Sequence, residues 1–313
     1  MKKSKITIIR TAMGSPASVG LIKELKKRGV RIVGTDCNPL SAGLYFCHKS
    51  YVIPRGDSPQ FLKKILEICV IEQPDAIIPG PEEEILTLSK NKKLFEKKNI
   101  IILLPNYKTI RICTDKIATY KFFRKENIPT PKIYQKNNVK FPIIIKPRFG
   151  RGSVGIFKVK NKNELKFCLK KVKNPIFQEF INGIEYTVDT LSDLKGKPLS
   201  IIPRIRIQTE SGISMKGKTV YDEEIINWCR KIAEKLKLTG PSCIQCIKSK
   251  KGPKFTEINL RFGGGSILSI KADPTIISNL LRIIKRREPI KSKGFKRDLT
   301  MLRYYSEVYI EDL

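Results

Sequence analysis

Histidine, acidic side chains and long apolar runs are all scarce in this sequence. The single histidine, His48, has no neighbouring nucleophile, which argues against Ser-His-Asp catalysis. The best apolar run, residues 100–104, is far shorter than the ~20 residues that span a bilayer. Arg10 interrupts the apolar stretch behind the basic first residues too early for the ~7–15-residue core of a signal peptide. We therefore expect a cytoplasmic protein with no membrane span.

A disulfide framework is also missing. The eight cysteines lie scattered through 313 residues, a length that builds a core without covalent cross-links. Cys243 and Cys246 have the CxxC spacing of a zinc ligand pair, but a zinc site would need a second pair or histidines. Buried, reduced thiols are the prediction, with zinc as the alternative.

Charge of one sign dominates. The 62 Lys and Arg residues outnumber the 29 Asp and Glu residues, which gives a formal net charge of +33. The lysines are spread along the whole chain and form no dense arm or tail. This pattern predicts solvated basic faces and no specific nucleic-acid partner, although a polyanion partner stays open as an alternative.

The first hundred residues alternate short β-branched runs with amphipathic segments, a pattern typical of an α/β domain with a parallel sheet. Residues 57–59, Asp-Ser-Pro, are predicted to cap the second helix. The predicted strands are residues 5–10, 31–36, 76–79 and 100–104, and the predicted helices are residues 18–28, 61–72 and 82–96.

The loop after the first predicted strand, residues 11–20, lies where a dinucleotide-binding loop would be. It lacks the GxGxxG pattern, although Asp36 ends the second strand where a ribose-binding acid is expected. With one of the two signals missing, we expect a sheet that contacts a substrate rather than a nicotinamide cofactor.

A glycine-rich segment follows the predicted strand at residues 143–147. Gly150, Gly152 and Gly155 free the backbone to approach a phosphate closely, and Lys146 with two arginines supplies positive charge. The GxxxxGK[ST] pattern of a P-loop is absent. The segment therefore predicts another kind of phosphate loop, with a tight hairpin as the alternative.

Polar side chains alternate along residues 255–262. Glu257, Asn259 and Arg261 share one face of the predicted strand, and Gln245 lies on the preceding strand. Carboxylate and amide oxygens two residues apart suit Mg²⁺, which leaves positions for phosphates and water. A solvent-facing polar strand is the alternative interpretation.

Residues 177–189 read as two short strands joined by a glycine-containing turn. Such a hinge offers backbone groups to a flat base and the Glu185 carboxylate to a ribose.

Taken in this order, with Thr114-Asp115-Lys116 ahead of them, these segments resemble the ATP-grasp superfamily. The resemblance is nearest to one ATP-binding half of the carbamoyl-phosphate synthase large chain and to the carboxylate–amine ligases, and it extends over residues 5–290. It rests on four motifs in register: DK, a Lys-Pro before the glycine loop, QEF followed by GxEYTVD, and ExNxRxGGG.

The resemblance implies ATP and Mg²⁺ as cofactors, with Mn²⁺ as an alternative ion. Lys116 and Lys146 would hold phosphates, Glu185 would bind the ribose, and Gln245, Glu257 and Asn259 would bind the metal. The loop that closes over the triphosphate would comprise Gly150, Arg151, Gly152, Ser153 and Gly155, and the adenine hinge would comprise Glu179, Phe180 and Ile181.

For the chemical step, the resemblance implies a set of basic side chains. Arg261 would lie beside the transferred phosphoryl group, Arg204 and Arg206 near the substrate carboxylate, and Lys216 on a mobile loop facing the γ-phosphate. The implied reaction converts a small-molecule carboxylate to an acyl phosphate and joins it to an amine. An ATP-grasp kinase and a non-catalytic ATP- or polyanion-binding protein are the alternatives.

The implied organisation has an N-terminal Rossmann-like (pre-ATP-grasp) domain followed by a two-lobed ATP-grasp module. The first domain would cover residues 1–106 and the module residues 107–290, with its lobes at about 115–187 and 188–290. Residues 291–313 would form a tail that packs on the module. Small-molecule carboxylate and amine substrates are the expected partners, and a homodimer is compatible with this family.

Overall fold

The first sheet of the protein is parallel, as the alternating pattern predicts. The computed structural model describes residues 5–150, 152 and 154–311. The strands of this sheet are β1 (Thr7–Thr11), β2 (Arg31–Asp36), β3 (Lys49–Val52), β4 (Ala76–Ile78) and β5 (Ile101–Ile102). They lie in the order β3-β2-β1-β4-β5 and pair in parallel. The central strands are buried, which explains their apolar, β-branched sequences.

The helices of this region differ from the prediction in two places. They are α1 (Pro16–Lys26), α2 (Phe61–Glu72), α3 (Glu82–Lys90) and α4 (Lys92–Glu96). The helix predicted over residues 82–96 is two helices, because Asn91 between them has a non-helical backbone. The predicted cap of α2 is also wrong, since α2 begins after Gln60, and Asp57 pairs instead with Arg55.

The second sheet is small and antiparallel, and it carries the predicted glycine-rich segment. Its strands are β6 (Ile133–Tyr134), β7 (Ile143–Pro147), β8 (Phe157–Val159) and β9 (Pro175–Glu179), in the order β6-β9-β7-β8. The helices α5 (Tyr107–Thr114), α6 (Lys116–Lys125) and α7 (Lys162–Leu169) belong to the same stretch of chain. The Asp115 carboxylate caps α6 by accepting from the backbone N–H groups of Ile117 and Ala118.

The third sheet is the largest and is also antiparallel. Its strands are β10 (Ile184–Ser192), β11 (Pro198–Glu210), β12 (Ile213–Thr219), β13 (Gly240–Ser249), β14 (Gly252–Asn259) and β15 (Thr300–Leu302). They lie in the order β14-β13-β10-β11-β12-β15, and the helices of this region are α8 (Glu223–Leu236), α9 (Ser266–Ala272) and α10 (Thr275–Ile284). The predicted tail, residues 291–313, contributes β15, which pairs with β12.

The first and third sheets share a core. One cluster of buried side chains joins Ile9 and Val33 of the first sheet to Ile244 and Ile258 of the third. The small sheet has its own cluster around Ile143 and the residues packed against it. This arrangement buries apolar surface between sheets and leaves their polar edges free to line a cavity.

The cysteines are free thiols, as predicted, but not all of them are buried. Six are buried, Cys47 is half-buried and Cys37 is exposed. No helix in the described part of the chain has the length and apolar character required to cross a membrane.

Candidate active site

All three sheets contribute to one central cavity of about 950 Å³. It lies beyond the carboxyl ends of β1, β2 and β4, where open α/β sheets bind ligands, and between the two antiparallel sheets. The candidate residues that line it are Lys116, Lys146, Gly150, Gly152, Glu185, Arg204, Arg206, Gln245, Glu257, Asn259 and Arg261.

Two lysines from different elements meet at this cavity. Lys116 begins α6, and its Nζ donates to the backbone oxygen of Gly150 at 2.8 Å. Lys146 lies on β7 with only 5% of its surface exposed. Burial lowers the pKa of Lys146 to about 8, while the charge of Glu257 raises it and that of Lys116 lowers it. Two cations in a poorly solvated place suit a polyanionic ligand such as a triphosphate.

The glycine loop adopts the backbone that only glycine takes without strain. Gly150, Gly152 and Gly155 have φ angles of +111°, +70° and +73°. Arg148, at the start of this loop, forms an ion pair within the protein, because its Nε and Nη2 donate to the Asp115 carboxylate at 2.8 and 2.5 Å. The predicted residues Arg151 and Ser153 lie outside the described residues.

The oxygen donors predicted for a metal come together across two paired strands. Gln245 on β13 lies directly opposite Glu257 on β14, and Asn259 ends the same strand. All three line the cavity and are half-buried. In the described part of the chain no cluster of three or more His, Cys, Asp or Glu side chains could hold a metal by itself. One carboxylate with two amide oxygens fits Mg²⁺, which is commonly held by few protein ligands together with substrate phosphates.

Arg261 lies just beyond the end of β14 and faces the same cavity. Its Nη2 donates to Asn259 Oδ1 at 3.3 Å, and its backbone N–H donates to the Asn259 carbonyl oxygen at 3.0 Å. The strand whose alternation is predicted through residue 262 ends at Asn259; Phe262 lines the cavity and also packs against a buried core cluster.

Arg204 already has an acidic partner inside the protein. It is 2% exposed, and its Nε donates to Asp189 Oδ2 at 2.6 Å. Cys243, Ser266 and Ser269 also donate to the Asp189 carboxylate. Burial alone would raise the pKa of Asp189, but the charge of Arg204 and these hydrogen bonds hold it below its usual value. Arg204 thus reaches the cavity wall as half of a buried ion pair.

This ion pair also explains the run of three glycines after Arg261. A Cβ on Gly265 would overlap the Arg204 guanidinium, and one on Gly263 would lie 2.6 Å from Cys243 Sγ. The run therefore allows the chain to pass directly over the buried network that contains Asp189. Arg204 and Asp189 support the turn between β14 and α9.

Arg206 and Glu185 form a second internal pair at the cavity wall. Arg206 Nη1 donates to Glu185 Oε1, and its Nη2 donates to the Gly212 carbonyl oxygen at 3.0 Å. The two residues face each other from the adjacent strands β11 and β10. The carboxylate expected at the ribose and one arginine expected at the substrate are therefore bound to each other.

Five of the predicted residues that the structure describes are not among those that line the cavity: Gly155, Glu179, Phe180, Ile181 and Lys216. Glu179 is bonded to Lys254 at 2.8 Å, and the ring of Phe180 lies 3.8 Å from Lys158 Nζ. Ile181 is buried. Lys216 is an exposed residue of β12, whose pairing with β11 is irregular at this point, so the segment expected as a mobile loop is a strand here; the role of Lys216 at the γ-phosphate stays a prediction. The side chains of the hinge residues 179–181 are engaged elsewhere or buried, so only their backbone groups are available to bind an adenine base.

The first sheet contributes to this site, as expected, but sequence reasoning did not identify two of its residues. Arg10, Asp36 and Glu84 all line the cavity, and each is at most 8% exposed. The signal for Arg10 was its position at the carboxyl end of a predicted strand, like that of Asp36, whereas Glu84 lies in the first turn of α3.

Comparison with known proteins agrees with this geometry. Residues 113–265 match the ATP-grasp domain family, and residues 11–103 match the family described as PylC-like, N-terminal domain. The chain contains an ATP-grasp domain. The ATP-grasp match includes both cavity lysines, the glycine loop and the three oxygen donors, while β2–β5 and the last residue of β1 fall in the N-terminal match.

Individual relatives of this ATP-grasp protein are distant. A carbamoyl-phosphate synthase of Methanobrevibacter smithii is 24% identical over 180 residues, which cover 53% of this chain and 47% of that protein. The D-alanine–D-alanine ligase of Fusobacterium nucleatum is 30% identical over 161 residues, 47% of this chain and 56% of that protein. The matched segments span about half the length of these curated relatives.

A solved structure shows the same fold at low identity. The biotin carboxylase domain dimer of Hydrogenobacter thermophilus 2-oxoglutarate carboxylase, solved with MgADP and bicarbonate, has a TM-score of 0.74 and 15% identity. The match covers 95% of this ATP-grasp chain and 74% of that one. The likeness confirms the α/β architecture of a parallel N-terminal sheet followed by antiparallel sheets.

Proposed function

We propose that this protein is an ATP-dependent ligase that activates a small-molecule carboxylate as an acyl phosphate and joins it to an amine or a similar nucleophile. A carboxylate oxygen attacks the γ-phosphorus, and the bond to ADP breaks. The amine nitrogen then attacks the carbonyl carbon, phosphate leaves, and the amine proton passes to solvent. The observation that supports this most strongly is the meeting of Lys146 with the Gln245, Glu257 and Asn259 donors in one cavity of an ATP-grasp domain.

In this proposal the chain binds ATP through its charged side chains, its glycine loop and its backbone. Lys116 and Lys146 hold the phosphates, and the loop from Gly150 to Gly155 covers them. The backbone of residues 179–181 borders the adenine. The Glu185–Arg206 pair lies at the ribose and rearranges to bind it.

Gln245, Glu257 and Asn259 would hold Mg²⁺, which supplies positive charge against the phosphate oxygens when bound; Mn²⁺ accepts the same oxygen donors. Arg261 then stabilises the negative charge that develops on the transferred phosphoryl group, since its fixed fork of donors lies next to Asn259. Phosphoryl transfer depends on positioning and charge more than on a covalent side chain, which is consistent with a site without histidine.

A hydroxylamine trap tests the acyl phosphate directly. The protein is incubated with Mg-ATP, hydroxylamine and a panel of carboxylates, and ADP and hydroxamate are measured together. Equal amounts of the two with one carboxylate support the ligase. ADP with a stable phosphorylated product and no hydroxamate indicates a kinase, and tight Mg-ATP binding without ADP release indicates a non-catalytic protein.

A further inference from the structure

The carboxyl edge of the first sheet places a buried arginine at the cavity that the ATP-binding residues do not explain. Arg10 ends in the cavity wall and is only 5% exposed. Its Nη1 donates to the Ile78 carbonyl oxygen at 3.1 Å, but its buried Nε has no hydrogen-bond partner among the described residues. Its Nη2 makes no hydrogen bond to any residue that the structure describes.

Such a group is costly in a folded protein. A buried donor without a partner loses its hydration and gains nothing in return, and native structures rarely keep one unless a water or a ligand completes it. A guanidinium adds a charge to that cost, because the interior screens it poorly. The position of Arg10 therefore indicates an anion that reaches it from the cavity.

The cavity arginines of the third sheet are not available to bind such an anion. Arg204 is neutralised by Asp189 and Arg206 by Glu185. Among the described residues, Arg10 and Arg261 line the cavity without any acidic side chain in ion-pair distance. The pKa of Arg10 is lowered to about 10, mainly by burial; the charge of Glu84 raises it and the positive charge of Arg261 lowers it.

Glu84 sets the background charge of this corner. Its Oε2 accepts from the Thr11 hydroxyl and from the Gly80 backbone N–H, the latter at 3.3 Å. It makes no hydrogen bond to Arg10, so the two groups interact through space only. Glu84 therefore weakens the attraction of Arg10 for an anion without occupying its donors.

We propose that Arg10 anchors a second anionic group of the acceptor substrate, apart from the carboxylate that is phosphorylated beside Arg261. Two uncompensated guanidiniums on different sheets of one cavity match a substrate with two anionic groups. The second group is a carboxylate or a phosphate, both of which fit the donor geometry of arginine. The inference rests on the proposed ligase function, because that function places the transferred phosphoryl group, and with it the carboxylate that receives it, beside Arg261.

Calorimetric titration of the full chain at pH 8 with saturating Mg-AMP-PNP tests this subsite. Glutarate represents a dicarboxylate, 3-phosphonopropionate a phosphorylated carboxylate, and butyrate a monocarboxylate. We expect one of the first two to bind the wild type at least tenfold more tightly than butyrate, as a charge-assisted contact requires. The preferred probe identifies the second group, and equal binding of all three overturns the proposal.

Three variants make the test specific to Arg10. Arg10→Met should raise the Kd of the preferred probe at least tenfold and leave the butyrate Kd unchanged. Glu84→Gln keeps the oxygen that accepts from Thr11 and should lower that Kd about threefold, because it removes a negative charge. Arg124→Met, on the exposed face of α6, is the matched control and should change neither value. Unchanged binding in both Arg10→Met and Glu84→Gln overturns the subsite.

The same titrations separate this inference from the proposed function. Mg-AMP-PNP binding alone reports on the lysines and the metal donors, and it also shows whether each variant is folded. Arg10-dependent binding of glutarate in a chain that does not bind Mg-AMP-PNP would retain the subsite and reject the ligase. Tight Mg-AMP-PNP binding with no Arg10-dependent anion would reject the subsite alone.

Discussion

Lys146 is the more deeply buried of the two lysines that line the cavity. Its pKa of about 8 in the free protein means that it loses its charge as the pH rises through that value. The proposed ATP complex needs the charged form, so ATP binding above pH 8 must also take up a proton. The affinity should therefore fall as the pH rises.

We predict that the Kd of the wild type for Mg-AMP-PNP increases up to about tenfold per pH unit above pH 8. Lys146→Arg keeps its charge and should remove this dependence between pH 7.5 and 9.5. Lys146→Gln should bind weakly at every pH. Titration calorimetry over this range measures all three, and equal slopes for the wild type and Lys146→Arg would contradict the assignment.

Glu257 is the only carboxylate in the proposed metal set, which makes it the residue with the clearest catalytic consequence. We predict that Glu257→Gln lowers turnover at least tenfold, a loss of about 1.4 kcal/mol in transition-state stabilisation, because the metal clamp loses its anionic ligand. ADP release under saturating substrate measures this effect.

The folded state of Glu257→Gln should be unchanged, since Gln fills the same space. Glu234→Gln on the exposed side of α8 is the control, and it should keep full activity. Turnover above a tenth of the wild-type value would remove Glu257 from the metal set.

The glycine loop after β7 is an element whose proposed role in phosphate binding can be tested through its backbone conformation. Gly150 has a φ of +111°, and a Cβ there would meet no atom of another described residue within 4 Å. Gly29, which follows α1, has a φ of +75° and the same open surroundings. The two glycines therefore share backbone strain on substitution and differ in their distance from the proposed phosphates.

We predict that Gly150→Ala and Gly29→Ala each lower the free energy of unfolding by about 1 kcal/mol, because alanine disfavours positive φ. Only Gly150→Ala should also weaken Mg-AMP-PNP binding, by about tenfold or more, since the loop leaves the conformation that faces the phosphates. Urea unfolding and calorimetry give the two quantities. Equal nucleotide affinities in the two variants would show that the loop does not bind phosphate.

One element differs from what the family resemblance implies. A mobile loop was expected around Lys216, yet Ser211 and Gly212 form a tight turn with φ angles of +47° and +76° and the following residues pair with β11. The turn, rather than the segment after it, contains the special backbone. Lys216 consequently points to solvent from the edge region of the sheet.

At the scale of the whole molecule, the net charge of +33 raises the question of a polyanionic partner. In the described structure Arg148, Arg204 and Arg206 each form an ion pair with an acidic side chain of the same chain. The remaining lysines are dispersed along the chain. Dispersed charge attracts any polyanion without selecting one.

We predict that nucleic acid binds weakly and loses ~10³–10⁵ in affinity between 50 and 200 mM salt, as counterion release requires for ~6–10 phosphate contacts. Gel shifts over this salt range with competitor DNA measure the effect. Sub-micromolar binding at 200 mM salt would contradict a small-molecule enzyme. The same preparation measured by light scattering shows whether the chain forms a homodimer.

The sequence by itself determined the fold class and the residue types of the site. Strand and helix periodicity depends on local spacing, so the parallel N-terminal sheet and the order of the motifs could be read directly. The glycines at 150, 152 and 155 and the pair of Glu257 with Asn259 carry their chemistry in their own spacing. The domain boundaries at residues 106, 187 and 290 stay predictions, and the one at 187 falls inside β10.

Only the tertiary structure decided which charges remain available. The ion pairs Arg204–Asp189 and Arg206–Glu185 join residues 15 and 21 positions apart across antiparallel strands. No local pattern distinguishes a paired arginine from a free one, because pairing depends on strand register. The same holds for Arg10. Its lack of an acidic partner among the described residues, and its position at the cavity between the sheets, can be seen only in the folded structure. Register and sheet packing, which are long-range properties, thus select the binding residues from a chain rich in cations.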